Sequence, residues 1–242
     1  MPIGTARDIT LRALDVLACA DVLAAEDTRS LRKLMDIHGV PLNGRRIVSL
    51  HDHSGPKAVD GLVASAQDGK SVAYASEAGM PLIADPGFEL VRAATQAGVL
   101  VTSAPGPSAV TTALALAALP TDAFHFAGFL PSSKSARKKA LLGVKDIMAT
   151  LAIYESPKRV AATLRDAAEV LGADREARLC RELTKKFEEI RQGTLGELAA
   201  SVTASPVKGE IVLLIARPQK SAGVNEKFLD DMIRDALSEA SV

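Results

Sequence analysis

The chain has 242 residues, 48% of them hydrophobic and only 3% aromatic, enough for one large or two small α/β domains with a core built mainly from Ala, Val, Leu and Ile. Its 29 basic residues balance its 29 acidic ones, which excludes a general coat for polyanions and leaves room for a local basic patch. The 2 cysteines, Cys19 and Cys180, sit far apart in apolar runs, which argues against a disulfide framework or a zinc site.

Short apolar runs alternate with stretches of helical period. VLAA (22–25), RIVSL (46–50), SVAYA (71–75) and VLVTS (99–103) are predicted strands. Between them, Leu62, Val63 and Ala66, and later Leu90, Val91 and Ala94, fall at helical spacing. This alternation predicts an α/β fold with a parallel sheet and helices on its faces. ALALAAL near residue 115 is too short to cross a membrane and reads as a buried helix. No leader pattern opens the chain, so a cytoplasmic protein is expected. After PTDAFHFAGFLP the texture changes, and a domain boundary is placed near residue 120. SSKSARKKAL is basic and polar. TLAIYE (150–155), a helix from Pro157 to Leu171, RLCREL (178–183), TLGELAASV and a final strand, EIVLLIA (210–216), follow. In TLGE, Thr194 is the predicted N-cap and Glu197 its capping-box partner. The expected units are therefore 1–120 and 121–218, with 219–242 a linker and a tail helix. Phe228, Leu229, Met232, Ile233, Ala236 and Leu237 form one stripe of that helix, and Asn225 is its expected N-cap.

The strand ends carry the unusual loops. YASEAGMPLIADPG (74–87) lies between a strand and a helix and holds two Gly, two Pro and two acids, with no Lys or Arg to grip a phosphate. Ligands of open α/β sheets bind at the carboxyl ends of the strands. Gly79 and Gly87 allow sharp turns or close approach, and Asp85 is placed to cap the next helix. APGPSA (104–109) repeats the arrangement, with Ser108 near a helix start. Neither loop is a dinucleotide fingerprint or a P-loop. Both suit a ligand held by main-chain groups and shape, such as a nucleoside with a cationic centre. In AEDTR (25–29), Asp27 or Thr28 is able to cap the following helix, whereas Glu26 and Arg29 flank the strand end. ESPKR (155–159) offers Ser156 as N-cap and Pro157 as first helical residue, with Glu155 and Arg159 as polar contacts. CRELTKKFEE (180–189) brings Glu182, Thr184, Lys185 and Lys186 to another strand end. HDH (51–53) has no Cys or third His nearby and reads as polar loop residues or a substrate contact rather than a metal site. Arg29, Arg32, Lys33, Arg45 and Arg46 form one basic cluster; Lys134, Arg137, Lys138 and Lys139 form another, suited to a phosphate backbone.

PIGTARDITLRAL, AAEDTRSLRKL, SEAGMPLIADPGFELVRAA, PGPSA, LPTDAFHFAGFLP, YESPKR, RELTKKFEE, GTL and GEIVLLI stand in an order that resembles the ribosomal RNA small-subunit methyltransferase I branch of the tetrapyrrole methylase superfamily. The likeness spans nearly the whole chain to about residue 216. It implies two α/β domains, the first mostly parallel and the second mixed, with S-adenosylmethionine in the cleft between them and no metal. It implies 2′-O-methylation of a cytidine in the decoding region of 16S ribosomal RNA, and a homodimer. It assigns the cofactor to Glu77, Gly79, Pro81, Asp85, Pro86 and Gly87 of one wall. Pro105, Gly106, Ser108 and Ala109 form the next, and Tyr154, Glu155, Ser156, Glu182, Gly209, Glu210 and Ile211 the rest. Glu26, Asp27, His51 and Lys185 are the candidates for a base or a polarising cation. RNA contacts are expected from Arg29, Arg32, Lys33, Lys134, Arg137, Lys138 and Lys139.

The chain departs from the family pattern in two places. SEAGMP stands where the family reads SDAGTP, so Glu77 keeps the acid and Met80 replaces a hydroxyl. Met1-Pro2-Ile3-Gly4-Thr5 has no strand ahead of it, whereas the family places one inside the first sheet, so an opening is expected there. Two other readings stay open from sequence alone: a methylase of a small porphyrinoid, and a non-catalytic RNA-binding protein that keeps the fold.

Overall fold

The computed structural model describes residues 1–51 and 54–219. His53 and the expected tail helix lie outside the described residues. A 3-10 turn, Ala6–Asp8, leads to α1 (Leu11–Cys19), which starts where the Thr10 hydroxyl accepts the Ala13 N–H at 3.2 Å. Then come β1 (Val22–Ala25), α2 (Thr28–Ile37), β2 (Ile47–Ser49), α3 (Pro56–Gln67), β3 (Val72–Ala75) and α4 (Phe88–Gln96). The three strands pair in parallel in the order β2-β1-β3. On one face of this first sheet, Leu23 and Ala25 meet α1 and α2 through Leu17, Leu31 and Met35. On the other, Ala24 meets Leu62, Leu90 and Ala94 of α3 and α4.

The expected strand at 99–103 is a correction. Residues 100–104 form no backbone hydrogen bond with another described residue, Leu100 is 92% exposed, and no described strand pairs with the outer edge of β3. The β-branched pattern of VLVTS marks a segment able to join a sheet, but a ladder needs a neighbouring edge to exchange N–H and C=O bonds with.

α5 (Ala109–Leu116) leads into the second sheet, made of β4 (Phe124–Phe129), β5 (Thr150–Glu155), β6 (Glu176–Arg181), β7 (Glu189–Thr194) and β8 (Ile211–Ile215). The order is β4-β5-β8-β6-β7, with β4 and β5 parallel and the remaining pairs antiparallel. Side chains alternate across it. Leu151, Ile153, Leu179, Leu213 and Ile215 face α6 (Lys134–Gly143), α7 (Val160–Leu171) and α8 (Leu195–Ala204). Ala152, Cys180, Val212 and Leu214 face α5 and also Ile3. Thus α5, inside the expected first domain, packs on the second sheet. The expected capping box is present: Thr194 accepts the Glu197 N–H and Glu197 accepts the Thr194 N–H. α7 starts at Val160 rather than Pro157, after a turn in which the Ser156 carbonyl, not its hydroxyl, accepts the Arg159 and Val160 N–H groups. β4 and β7 had not been expected; both are edge strands, and EIRQGT carries almost no apolar alternation.

Candidate active site

Loop 76–87 leaves β3 at the carboxyl end of the first sheet, and its backbone is strained. Gly79 (φ 71°), Leu82 (φ 70°), Ala84 (φ 60°) and Gly87 (φ 123°) all lie in the left-handed region. Leu82 and Ala84 carry a Cβ there, at a cost of roughly 1–3 kcal/mol each, a strain that clusters at ligand sites. A Cβ on Gly87 would fall 2.8 Å from the Tyr74 ring, so glycine is required. A Cβ on Gly79 would lie 3.5 Å from the Pro107 carbonyl, and one on Gly106 would lie 3.6 Å from the Met80 sulfur. The SEAGMP and PGPS loops therefore abut as two neighbouring walls. Asp85 does not cap α4: Gly87 takes the N-cap position without a side-chain bond.

Residues 1–5 join this wall to the second sheet. The Met1 ammonium donates to the Gly79 carbonyl and the Gly79 N–H to the Pro2 carbonyl. A Cβ on Gly4 would lie 2.5 Å from the Thr184 hydroxyl and 2.6 Å from Lys185 Cγ. The Thr5 hydroxyl donates to the Thr184 carbonyl. Lys185 is thereby packed on the segment that also bonds to Gly79. Its Nζ donates to Glu182 Oε1 at 3.1 Å and Glu210 Oε2 at 2.9 Å. Burial works against its charge, but the bonds to Glu210 and Glu182 outweigh that and raise its pKa above the usual lysine value. Lys185 is therefore an ammonium at neutral pH, a polarising cation and not a base. Glu182 (φ 51°) and Thr184 (φ 62°) are also left-handed, and Gly209 (φ 89°) leaves the space that the Glu182 carboxylate fills. There Glu182 accepts the Glu210 N–H at 3.0 Å, the main cause of its lowered pKa.

Tyr154 is half-buried between the two walls. Burial, then the charges of Asp85 and Glu210, push its pKa up, while the nearby Val110 N–H and Ser108 hydroxyl hold it down in part. Glu155 next to it is a correction. Its side chain is fully buried, accepts from the Thr163 hydroxyl at 2.6 Å and the Ser156 N–H at 2.8 Å, and pairs with Arg159, so it supports the fold and does not reach a ligand.

At the first sheet's strand ends, Glu26 Oε2 accepts the Glu77 N–H at 3.0 Å and ties AEDTR to the cofactor loop. His51 is exposed just beyond β2, its N–H donating to the Ser54 hydroxyl. Asp27 proves to be structural: it caps α2 by accepting the Arg29 and Ser30 N–H groups, and bonds from Arg29 hold its pKa down at about 2. A carboxylate that acidic is a poor proton acceptor. Among the described residues no group of His, Cys, Asp and Glu forms a metal site.

The basic clusters divide. Arg29, Arg32 and Lys33 line a shallow depression of about 930 Å³ with Arg45 and Arg46. Arg45 is spent on the carbonyls of Leu17, Ala20, Pro41 and Leu42. Lys134 and Lys139 are exposed on α6, whereas Lys138 pairs with Glu169. Arg137 is a correction: it is 5% exposed, pairs with Asp166 at 2.6 Å, and donates to the Pro131 and Ser132 carbonyls. Residue type and spacing carry no sign of which face of α6 turns inward. The contacts of Thr5 and Thr184 were likewise not expected; Gly4, outside any turn signal, was their one trace.

Residues 1–199 of the sequence match the family of Tetrapyrrole (Corrin/Porphyrin) Methylases, which sets the class. Solved structures agree in fold: diphthine synthase at TM-score 0.68 and 16% identity (89% of this chain, 87% of that one), and cobalt precorrin-4 methyltransferase, a cobalamin biosynthetic enzyme, at TM-score 0.64 and 18% identity (88% and 90%). Curated relatives are nearer in sequence. The ribosomal RNA small subunit methyltransferase I of Mesorhizobium japonicum is 47% identical over 91% of this chain and 74% of its own length. That of Vibrio cholerae is 46% identical over 88% and 74%. The chain belongs to the ribosomal RNA small subunit methyltransferase I family within the tetrapyrrole methylases. It is a methyltransferase, and its cofactor is S-adenosylmethionine.

Proposed function

We propose that this protein methylates the ribose 2′-oxygen of a cytidine in the decoding region of 16S ribosomal RNA, taking the small ribosomal subunit as substrate. The observation that carries the reading is Lys185, an ammonium clamped between Glu182 and Glu210 and packed on Gly4 beside the cofactor loops. S-adenosylmethionine supplies an electrophilic methyl group on a sulfonium. Gly79, Pro81, Pro86, Gly87, Pro105, Gly106, Ala109, Gly209 and Ile211 supply backbone walls, and Asp85, Tyr154 and Glu210 the polar ones. Alignment of nucleophile and methyl is worth roughly 7–11 kcal/mol in well-oriented intramolecular reactions. A ribose hydroxyl is a weak acid, so charge on its oxygen needs a partner as the proton leaves. Lys185 stabilises that charge, and Glu26 or His51 takes the proton, a contribution of typically about 10²–10⁴-fold. Lys33, Lys134 and Lys139 grip phosphates, with Arg29 and Arg32 lining the same depression as Lys33. The reading includes a homodimer acting in the cytoplasm, which sedimentation of the purified protein and fractionation of cells check. No helix among the described residues is long and apolar enough to cross a membrane.

The test is methyl transfer from labelled S-adenosylmethionine to small subunits lacking the modification, with mass mapping of the labelled nucleotide. Label on a cytidine 2′-oxygen in the decoding region is the expected result. Label on a base, or on a porphyrinoid and not on subunits, contradicts it. Lys185→Met is expected to lower turnover by about 10²-fold or more while cofactor affinity holds.

A further inference from the structure

The β4–β5 register slips by one residue. Phe126 lies opposite Ala152, Gly128 opposite Ile153, and Phe129 opposite Tyr154, so β4 holds a bulge, with Gly128 at φ 63°. Strict alternation from Phe126 would turn Phe129 to the face of Leu151 and Ile153, under α6 and α7. The bulge turns it back instead. Phe126 and Phe129 therefore both face Tyr154, at ring distances of 4.9 and 5.5 Å and edge-on angles of 67° and 62°. Phe126 packs into the core, but Phe129 is 57% exposed.

That exposure is not looseness. Arg159 donates to the Leu130 and Pro131 carbonyls, and Arg137 to those of Pro131 and Ser132. Two arginines, each ion-paired to a buried carboxylate, thus fix the backbone directly behind the ring. On one side Phe129 touches Tyr154, which lies near Ser108 of the PGPS loop. On the other the chain runs into α6, with Lys134 and Lys139 exposed. A flat apolar ring, held rigid between a cofactor cleft and a basic helix, matches the face of a nucleobase.

We propose that Phe129 is the platform on which the target base stacks when the RNA delivers its ribose to the cleft; this rests on the RNA reading above. Stacking accepts any base, so Phe129 sets position and not the choice of cytosine.

The experiment compares wild type, Phe129→Ala and Phe129→Trp on small ribosomal subunits, with cofactor affinity measured by calorimetry on the same samples. Phe129→Ala is expected to lower kcat/KM for subunits by about tenfold or more and to leave the cofactor Kd within about twofold, and Phe129→Trp to restore most of the loss. The salt dependence of subunit binding stays as in wild type, because no phosphate contact is removed; Lys134→Ala with Lys139→Ala flattens it. Cofactor affinity falling in step with transfer would assign the ring to the cofactor, and a changed oligomeric state would assign it to a second copy; either overturns the proposal. Unchanged kinetics in Phe129→Ala overturns it while leaving the RNA reading intact. A wild-type protein that labels no subunit overturns that reading, and the proposal with it.

Discussion

The first sheet has three strands of 3 or 4 residues, and the second has five strands of 5 or 6. Every residue of β8 is buried, whereas none of β2 is. Among the described residues the outer edge of β3 has no partner strand and Leu100 lies in solvent, whereas the second sheet pairs five strands. Yet loop 76–87, with its left-handed Leu82 and Ala84, leaves the thinner sheet. Strained backbone needs surroundings that over-determine it. Here the second sheet supplies them, through Thr184 and Lys185 against Gly4 and through Tyr154 under the PGPS loop. The larger core surrounds the second sheet, and the proposed site draws on both sheets.

Stability measurements break or sharpen that comparison most directly. Asp166→Ala strands the Arg137 guanidinium inside the second layer, and a loss of about 3–5 kcal/mol in urea unfolding is expected. Leu213→Ala, fully buried in β8, is expected to cost about 2–5 kcal/mol, and Leu100→Ala, 92% exposed, less than about 0.5 kcal/mol. Equal losses at 213 and 100 would mean that Leu100 is packed into the first layer and that residues 99–103 join it. A smaller effect concerns the rim of the first sheet. Asp27 has its folded pKa held at about 2 against an ordinary 3.8. Its contribution is fully present above the unfolded value and is lost as pH falls through about 2. Asp27→Asn should therefore lower stability at neutral pH by an amount that shrinks as pH falls through about 2, which flattens acid unfolding between roughly pH 4 and 2, read by circular dichroism. The smallest effect is chemical. Cys19 is exposed on α1, whereas Cys180 is buried in β6 with its thiol pushed up to about 11 by burial. A thiol reagent should titrate Cys19 at once and Cys180 only on unfolding.

Local features of the fold were legible in the sequence. The Thr194–Glu197 box, the runs VLAA and SVAYA, and the apolar periods of α3 and α4 each depend on residues close together in the chain. VLVTS was not, because its fate depends on a neighbouring strand, and neither was β7, an edge strand with polar side chains on both faces. The site divided in the same way. Gly and Pro marked the loops, since only such residues tolerate those turns. Pairings decided the rest. Asp27 turned to its own helix end and Glu155 to Thr163 and Arg159. Lys185 found a carboxylate partner in Glu210, 25 residues on. Residue type alone does not reveal which partner a charge finds.

Calorimetric titration of S-adenosylmethionine into wild type, Gly87→Ala and Gly209→Ala tests most directly that one cofactor site is built by both sheets. Gly87 lies in the loop after β3, and Gly209 opens the space for Glu182 beside β8. Each variant, with its fold verified by circular dichroism, is expected to lose binding by tenfold or more, about 1.4 kcal/mol. A folded variant of either kind that binds the cofactor as wild type does would contradict the account, because one sheet would then suffice.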